Sequence, residues 1–313
     1  MAATSKRPSM EAEKEGETLL LEDQALRDGL QMESRQFTLT EKLQLFELLK
    51  SAGFQRVQVG SFVHPAVVPQ MADTDALIQR IGNDPKAVVS ALILNDRGLD
   101  RAAACGVRHV TLSVSVSDTH SRKNTGQPAA AALASMLALI RRALDSGLQV
   151  RAGLQCVFGC VYEGKIAEDA VLSAAEAMAA AGAAEINLAD TTGMAHPLAV
   201  RRLIGGLRKE LPGVRLSLHL HDTRGLGLAN MFAGYESGIR SFDVCVGGLG
   251  GCPFVKGAAG NVPAEDAVHM FESMGIATGI DLTVVCRTVA YLEEKLGRRL
   301  PGHMQRVLEH GLP

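Results

Sequence analysis

Residues 182–220 read GAAEINLADTTGMAHPLAVRRLIGGLRKELPGVRLSLHL, and their pattern decides the fold. A short apolar run, Ala184–Leu188, gives way to a segment of helical periodicity, Pro197–Glu210, and then to a second short run, Arg215–Leu220. Strand, helix and strand in so few residues make the parallel βαβ unit. The same unit recurs outward in both directions. Candidate strands before it are Leu19–Glu22, Arg56–Val59, Ala87–Leu92, His109–Ser113 and Gln149–Gln155, and Ser241–Val246 follows it. Helical patterns occupy Thr40–Ala52, Ala167–Ala181 and Gly225–Ser237. In the first of these, Leu43, Phe46, Leu49 and Lys50 mark one face, and Thr40 is placed as the cap. Gly53, Gly106, Gly147, Gly182, Gly213 and Gly238 each stand just before a strand, where the glycine that ends a helix belongs.

Eight such alternations without a break in composition predict an α/β fold, a TIM (β/α)8 barrel with additional C-terminal helices. Residues 19–313 are expected to form one catalytic domain behind a flexible tail of residues 1–18. From Pro263 onward the chain reads as a pair of helices covering the barrel. The alternative, an open doubly wound sheet, wants a G-x-G-x-x-G after its first strand, and none is there.

Composition narrows the function. The 313 residues are 47% hydrophobic and carry a formal net charge of −2, so a large core is available and nucleic acid is not the expected partner. The longest apolar stretches, such as Ala129 to Ile140, are too short to span a bilayer, so no membrane partner is expected. Cysteines stand at 105, 156, 160, 245, 252 and 286, which in a chain of this size suggests reduced thiols and a cytoplasmic setting. Cys156 and Cys160 form a C-x3-C pair, but no second pair stands at zinc-ligand spacing. The tail has no apolar run for a signal peptide and is too acidic for a mitochondrial presequence.

Three polar stretches fall at strand ends, where TIM-barrel active sites are built. Leu26-Arg27-Asp28-Gly29-Leu30-Gln31 follows the first strand. It reads either as a metal ligand, Asp28, beside a cation for an oxyanion, Arg27, or as a solvated loop with a surface ion pair. His219-Leu220-His221-Asp222-Thr223 ends the seventh strand, and period two puts both imidazoles on one face. Facing inward at the rim, they can share a cation through neutral ring nitrogens. The other reading is one histidine in the core and one in solvent. Gly247-Gly248-Leu249-Gly250-Gly251-Cys252-Pro253-Phe254, running on to Gly260-Asn261, is a glycine-rich loop that permits close approach to a ligand. Cys252 in it reads as a proton donor or acceptor, or as an incidental small residue. Asn261 offers a neutral carbonyl oxygen.

R-D-G-L-Q (27–31), S-F-V-H-P-A-V-V-P-Q-M (61–71), G-C-V-Y-E-G-K-I (159–166), H-L-H-D-T-R-G-L-G-L-A-N (219–230) and the loop 248–261 resemble the 3-hydroxy-3-methylglutaryl-CoA lyase family. The resemblance runs from about Leu20 to Gly279. It implies a metal-assisted retro-Claisen cleavage of an acyl-CoA to acetyl-CoA and a keto acid. It implies a divalent cation, Mg2+ or Mn2+, held by Asp28, His219, His221 and Asn261. It assigns catalytic work to Arg27, Cys252 and Asp190, substrate contacts to Arg27, Gln31, Gln58 and Ser61, and a homodimeric state.

Two positions depart from the family. Gln58 stands where the family has Glu, and Gly153 stands near an aromatic position, which implies a roomier acyl pocket for a longer 3-hydroxy-3-carboxymethyl acyl-CoA. Two other functions compete with the lyase: a Claisen condensing enzyme joining acetyl-CoA to a 2-keto acid, and a non-catalytic acyl-CoA-binding barrel.

Overall fold

The computed structural model describes residues 19–251 and 260–311, so the expected tail over 1–18 lies outside the described residues. The first half of the chain forms β1 (Leu20–Asp23), α1 (Leu39–Ser51), β2 (Arg56–Ser61), α2 (Thr74–Ile81), β3 (Val88–Ile93), α3 (Asp96–Cys105), β4 (His109–Ser115), α4 (Asp118–Thr125) and α5 (Ala129–Asp145). The second half forms β5 (Gln149–Gln155), α6 (Glu168–Ala180), β6 (Glu185–Ala189), α7 (Pro197–Glu210), β7 (Arg215–His219), α8 (Gly227–Glu236), β8 (Ser241–Val244), α9 (Ala264–Ser273), α10 (Leu282–Leu296) and α11 (Met304–Glu309). The eight strands are parallel and close in chain order, β1 pairing with both β2 and β8. This is the expected TIM barrel.

Strand alternation explains both layers. Val57, Leu112, Ile186, Leu218 and Phe242 are fully buried among the apolar side chains of the core. Their neighbours Gln58, Thr111, Arg151, Asn187, Ser217 and Asp243 alternate with them and hydrogen-bond to one another across the barrel. The interior is therefore polar. Arg151 Nη1 lies 2.7 Å from Asp243 Oδ1 and 2.9 Å from Glu22 Oε2, and Arg56 joins Glu22 to Glu185. Buried charges demand such pairing, because an unpaired ion in this environment costs several kcal/mol. Below them, at the N-terminal end of the strands, a polar cavity of about 100 Å³ lies between Glu22, Arg56, Ser90 and Glu185.

Several local expectations are corrected. The cap of α1 is Thr38, not Thr40: Thr38 Oγ1 accepts from Glu41 N, and Glu41 Oε2 accepts from Thr38 N at 2.9 Å. That reciprocal pair satisfies two orphan donors at once. The buried face of α1 is Lys42, Leu45, Phe46 and Leu49 rather than a stripe through Leu43; Lys42 is buried because its amine pairs with Asp73 and donates to the Gln70 carbonyl. Gly213 does not end α7, which stops at a cap on Leu211 just before Pro212. The segment after Pro263 forms three helices, not two. Of these, α9 completes the barrel's outer ring, α10 is tied to α1 by Asp281 N donating to the Ala52 carbonyl, and α11 hangs on Asp266, which accepts from His303 N and Met304 N.

Candidate active site

The chain leaves β1 in a π-type turn, Ala25–Gly29, that lifts Arg27 and Asp28 to the C-terminal mouth of the barrel. Asp23 fixes this turn: one carboxylate oxygen accepts from Ala25 N and the other from Val246 N. Arg27 pairs with Asp28 and donates from Nε to Gln58 Oε1 and from Nη2 to Gln24 Oε1. Burial alone would raise the Asp28 carboxyl, but Arg27, His219, His221 and a hydrogen bond from Asn261 together hold it below the usual range.

At the end of β7, His219 and His221 do point to the same place, with their Nε2 atoms 3.1 Å apart. His219 Nδ1 faces Asp243 Oδ2 at 3.0 Å, so its Nε2 is the nitrogen left for the mouth. Burial, followed by the neighbouring His219, pushes His221 down to about 4. It is therefore a neutral imidazole with a lone pair. Its Nε2 stands 3.9 Å from Asp28 Oδ2.

Asn261 reaches the same point by a route that periodicity did not reveal. Residues 260–262 run beside the continuation of β7: Asp222 N donates to the Gly260 carbonyl, and His221 bridges Asn261. Asn261 Nδ2 then donates to Asp28 Oδ2 at 2.8 Å. Two glycines make this possible. Gly250 has φ +104, and a Cβ there would sit 2.6 Å from Asn261 Nδ2; a Cβ on Gly260 would sit 2.4 Å from the Gly248 carbonyl.

One oxygen or nitrogen from each of Asp28, His219 and His221 lies within 4.8 Å of the others, the one such group among the described residues. Asn261 Oδ1 and His221 Nδ1 are buried without hydrogen-bond partners. A carboxylate, two imidazoles and an orphaned amide oxygen fit a divalent cation. Cys156 and Cys160 have no third His, Cys, Asp or Glu within that reach among the described residues, which leaves the zinc reading without support.

The remaining expected residues are placed as follows. Asp190 is buried, and burial pushes it up to about 6; Oδ1 accepts from Met194 N and Ala195 N, while Oδ2 has no partner. Gln58 is fully buried between Arg27 and Thr111, and Ser61 is fully buried at the end of β2. Gln31 is half-buried just past the turn. Cys252 lies outside the described residues. The space expected at Gly153 is partly filled, since a Cβ there would stand 2.7 Å from Ser113 Oγ. Motif reading missed Asp243, Arg151 and Thr111. The available signal was charge inside short strands at the inward period, in S-F-D-V and Q-V-R-A-G-L-Q.

Residues 19–291 match the family model described as HMGL-like. The chain is 40% identical over 295 residues to the (R)-citramalyl-CoA lyase of Chloroflexus aurantiacus, covering 91% of this chain and 93% of that protein. It superposes on the crystal structure of the Bacillus subtilis HMG-CoA lyase with a TM-score of 0.90 at 34% identity, covering 94% of this chain and 99% of the other. An Acinetobacter baumannii HMG-CoA lyase, solved in complex with coenzyme A and 3-methylmalate, gives a TM-score of 0.88 at 36% identity over 95% of this chain and 96% of the other.

Proposed function

The chain belongs to the HMGL-like family and is an acyl-CoA lyase that breaks a carbon–carbon bond, and from that premise we propose that it cleaves a 3-hydroxy-3-methyl acyl-CoA carrying a carboxylate at or one methylene from C3. The observation that carries this reading is the convergence of Asp28, His219 and His221 at the mouth, directly beside Arg27. Asp28, His219, His221 and Asn261 would hold the divalent cation, Mg2+ or Mn2+. When bound, such an ion would supply the Lewis acidity that lowers the pKa of the substrate's tertiary hydroxyl.

Once the hydroxyl proton has passed to solvent at the mouth, the C3–O bond becomes a carbonyl as the C2–C3 bond breaks. The electron pair moves onto C2 and the thioester oxygen. Arg27 stabilises the negative charge on that oxygen, held in place by Gln58 and Gln24. Cys252 returns a proton to C2 and releases acetyl-CoA. Asp190 acts as an orienting group, fixing the loop after β6 through Met194 N and Ala195 N. Gln58 works through Arg27 rather than by touching substrate. Cys252→Ala should bind Mn2+ as the parent does and lose most turnover; a fully active variant would remove Cys252 from the mechanism.

Two substrates stand in this class. 3-Hydroxy-3-methylglutaryl-CoA would give acetyl-CoA and acetoacetate, and citramalyl-CoA, supported by the relative of that activity, would give acetyl-CoA and pyruvate. They differ by one methylene, which a pocket discriminates by only about 1–3 kcal/mol. A panel of both, with longer 3-substituted homologues and added Mg2+ or Mn2+, ranks them by kcat/KM. Turnover of none of them would end the proposal, and condensation of acetyl-CoA with a keto acid instead would replace it.

A further inference from the structure

The metal-ligand set and Arg27 are joined from beneath by one continuous arc of side chains inside the barrel. From His219 Nδ1 it passes to Asp243 Oδ2 at 3.0 Å, and from Asp243 Oδ1 to Arg151 Nη1 at 2.7 Å. Arg151 Nε donates to Thr111 Oγ1 at 3.3 Å, and Gln58 Nε2 donates to the same hydroxyl at 3.0 Å. Gln58 Oε1 then receives Arg27 Nε. Asp243, Arg151, Thr111 and Gln58 are all buried, and they come from β8, β5, β4 and β2.

We propose that this arc is the positioning device of the active site, with Arg151 as its hub: through Asp243 it sets the ring orientation and tautomer of His219, and through Thr111 and Gln58 it sets the guanidinium of Arg27. The inference rests on the reading of His219 as a metal ligand given above.

The physical reason lies in what each end requires. A ligating imidazole must keep its hydrogen on the far nitrogen and its lone pair toward the ion, and a carboxylate accepting from Nδ1–H enforces both. A carboxylate alone can swing, so Asp243 needs a partner. Arg151 grips both its oxygens, with Nη1 on Oδ1 and Nη2 on Oδ2, and Asn187 approaches Oδ2 as well. Arg151 in turn is anchored from below by Glu22. At the other end, the Gln58 amide has no freedom to rotate. Its NH2 is committed to a hydroxyl that Arg151 also holds, so its carbonyl must face Arg27. One guanidinium thereby fixes the directions of two groups at the mouth.

The two limbs separate in experiment. Asp243→Asn should weaken Mn2+ binding by about 10- to 100-fold, read by calorimetry or by electron paramagnetic resonance of free Mn2+. Thr111→Val should lower kcat, with KM little altered, and weaken Mn2+ binding far less than Asp243→Asn does, because Gln58 loses its anchor while Arg151 gives up one hydrogen bond and keeps Asp243 and Glu22. Thr288→Val, an equally buried change in α10 outside this network, should move neither. On the unmutated apo protein, 15N spectra of the histidine side chains should show His219 as the Nδ1–H tautomer, a readout that survives if a variant fails to fold. If the wild type binds Mn2+ but Asp243→Asn binds it equally well, or if His219 is the Nε2–H tautomer, the positioning role is wrong while the ligand reading stands. If the wild type binds no Mn2+, the ligand reading fails and this inference falls with it.

Discussion

Gln58 commits both ends of its amide to protein groups, and that fact decides what its side chain can do. The Arg27 guanidinium sits on its oxygen and Thr111 on its nitrogen, with no surface exposed. Replacement by Met keeps the volume and removes both hydrogen bonds. We expect Gln58→Met to bind Mn2+ normally and to lose on the order of 100-fold in kcat, the effect of letting a charge-stabilising group drift by an ångström. Steady-state kinetics beside a metal titration checks it. A rise in KM with kcat intact would instead put Gln58 in direct contact with substrate. The pairing of Arg27 with Gln24 and Gln58 also leaves Asp28 as its one anionic partner among the described residues. A glutamate at 58 would supply a second and change the charge of the mouth by one.

At the scale of elements, what could be read from the sequence was whatever repeats locally. All eight strands lie within two residues of their expected ends, because the period-two pattern and the glycines behind the helices are written in consecutive residues. The H-x-H pair was legible for the same reason. The polar helix α4, with the sequence DTHSRKNT, gave no apolar period to detect. Asn261 was named by motif, but its placement comes from pairing with the extension of β7, some forty residues upstream in the chain. The Asp243–Arg151 contact spans 92 residues and leaves no local trace. Caps lie between these cases. The T-x-x-E box at Thr38–Glu41 was present to be read, yet the periodic run drew the boundary to Thr40. Thr38→Ala should cost about 1 kcal/mol of stability, measured by denaturant titration, with kcat unchanged. A loss of activity at equal stability would show that α1 positions the site more tightly than its cap suggests.

For the whole molecule, buried acids shape the response to pH. Glu265 at the start of α9 accepts from Gly247 N, and burial pushes it up to about 8; burial likewise pushes Asp23 up to about 7. In the unfolded chain these groups titrate near 4.5 and 3.8, so over the intervening range the folded state binds more protons. Their contribution to stability is complete below the lower values and is lost as pH rises through the upper ones. Glu265→Gln removes about half of that dependence. Melting temperatures of the apo protein from pH 4.5 to about 8 should therefore fall less steeply in the variant than in the parent. Equal slopes would mean that Glu265 is ionised in the folded protein.

Asp28 and Asn261 stand 233 residues apart in sequence and touch only because β8 has come round to lie against β1. A nascent chain therefore cannot assemble the proposed cation site until Asn261 has left the ribosome and β1 has found β8. An ion that prefers this closed arrangement acts as a clasp across the seam, adding stability in proportion to the logarithm of its concentration above the dissociation constant. Uptake of the ion during refolding would then time the closing of the ring itself.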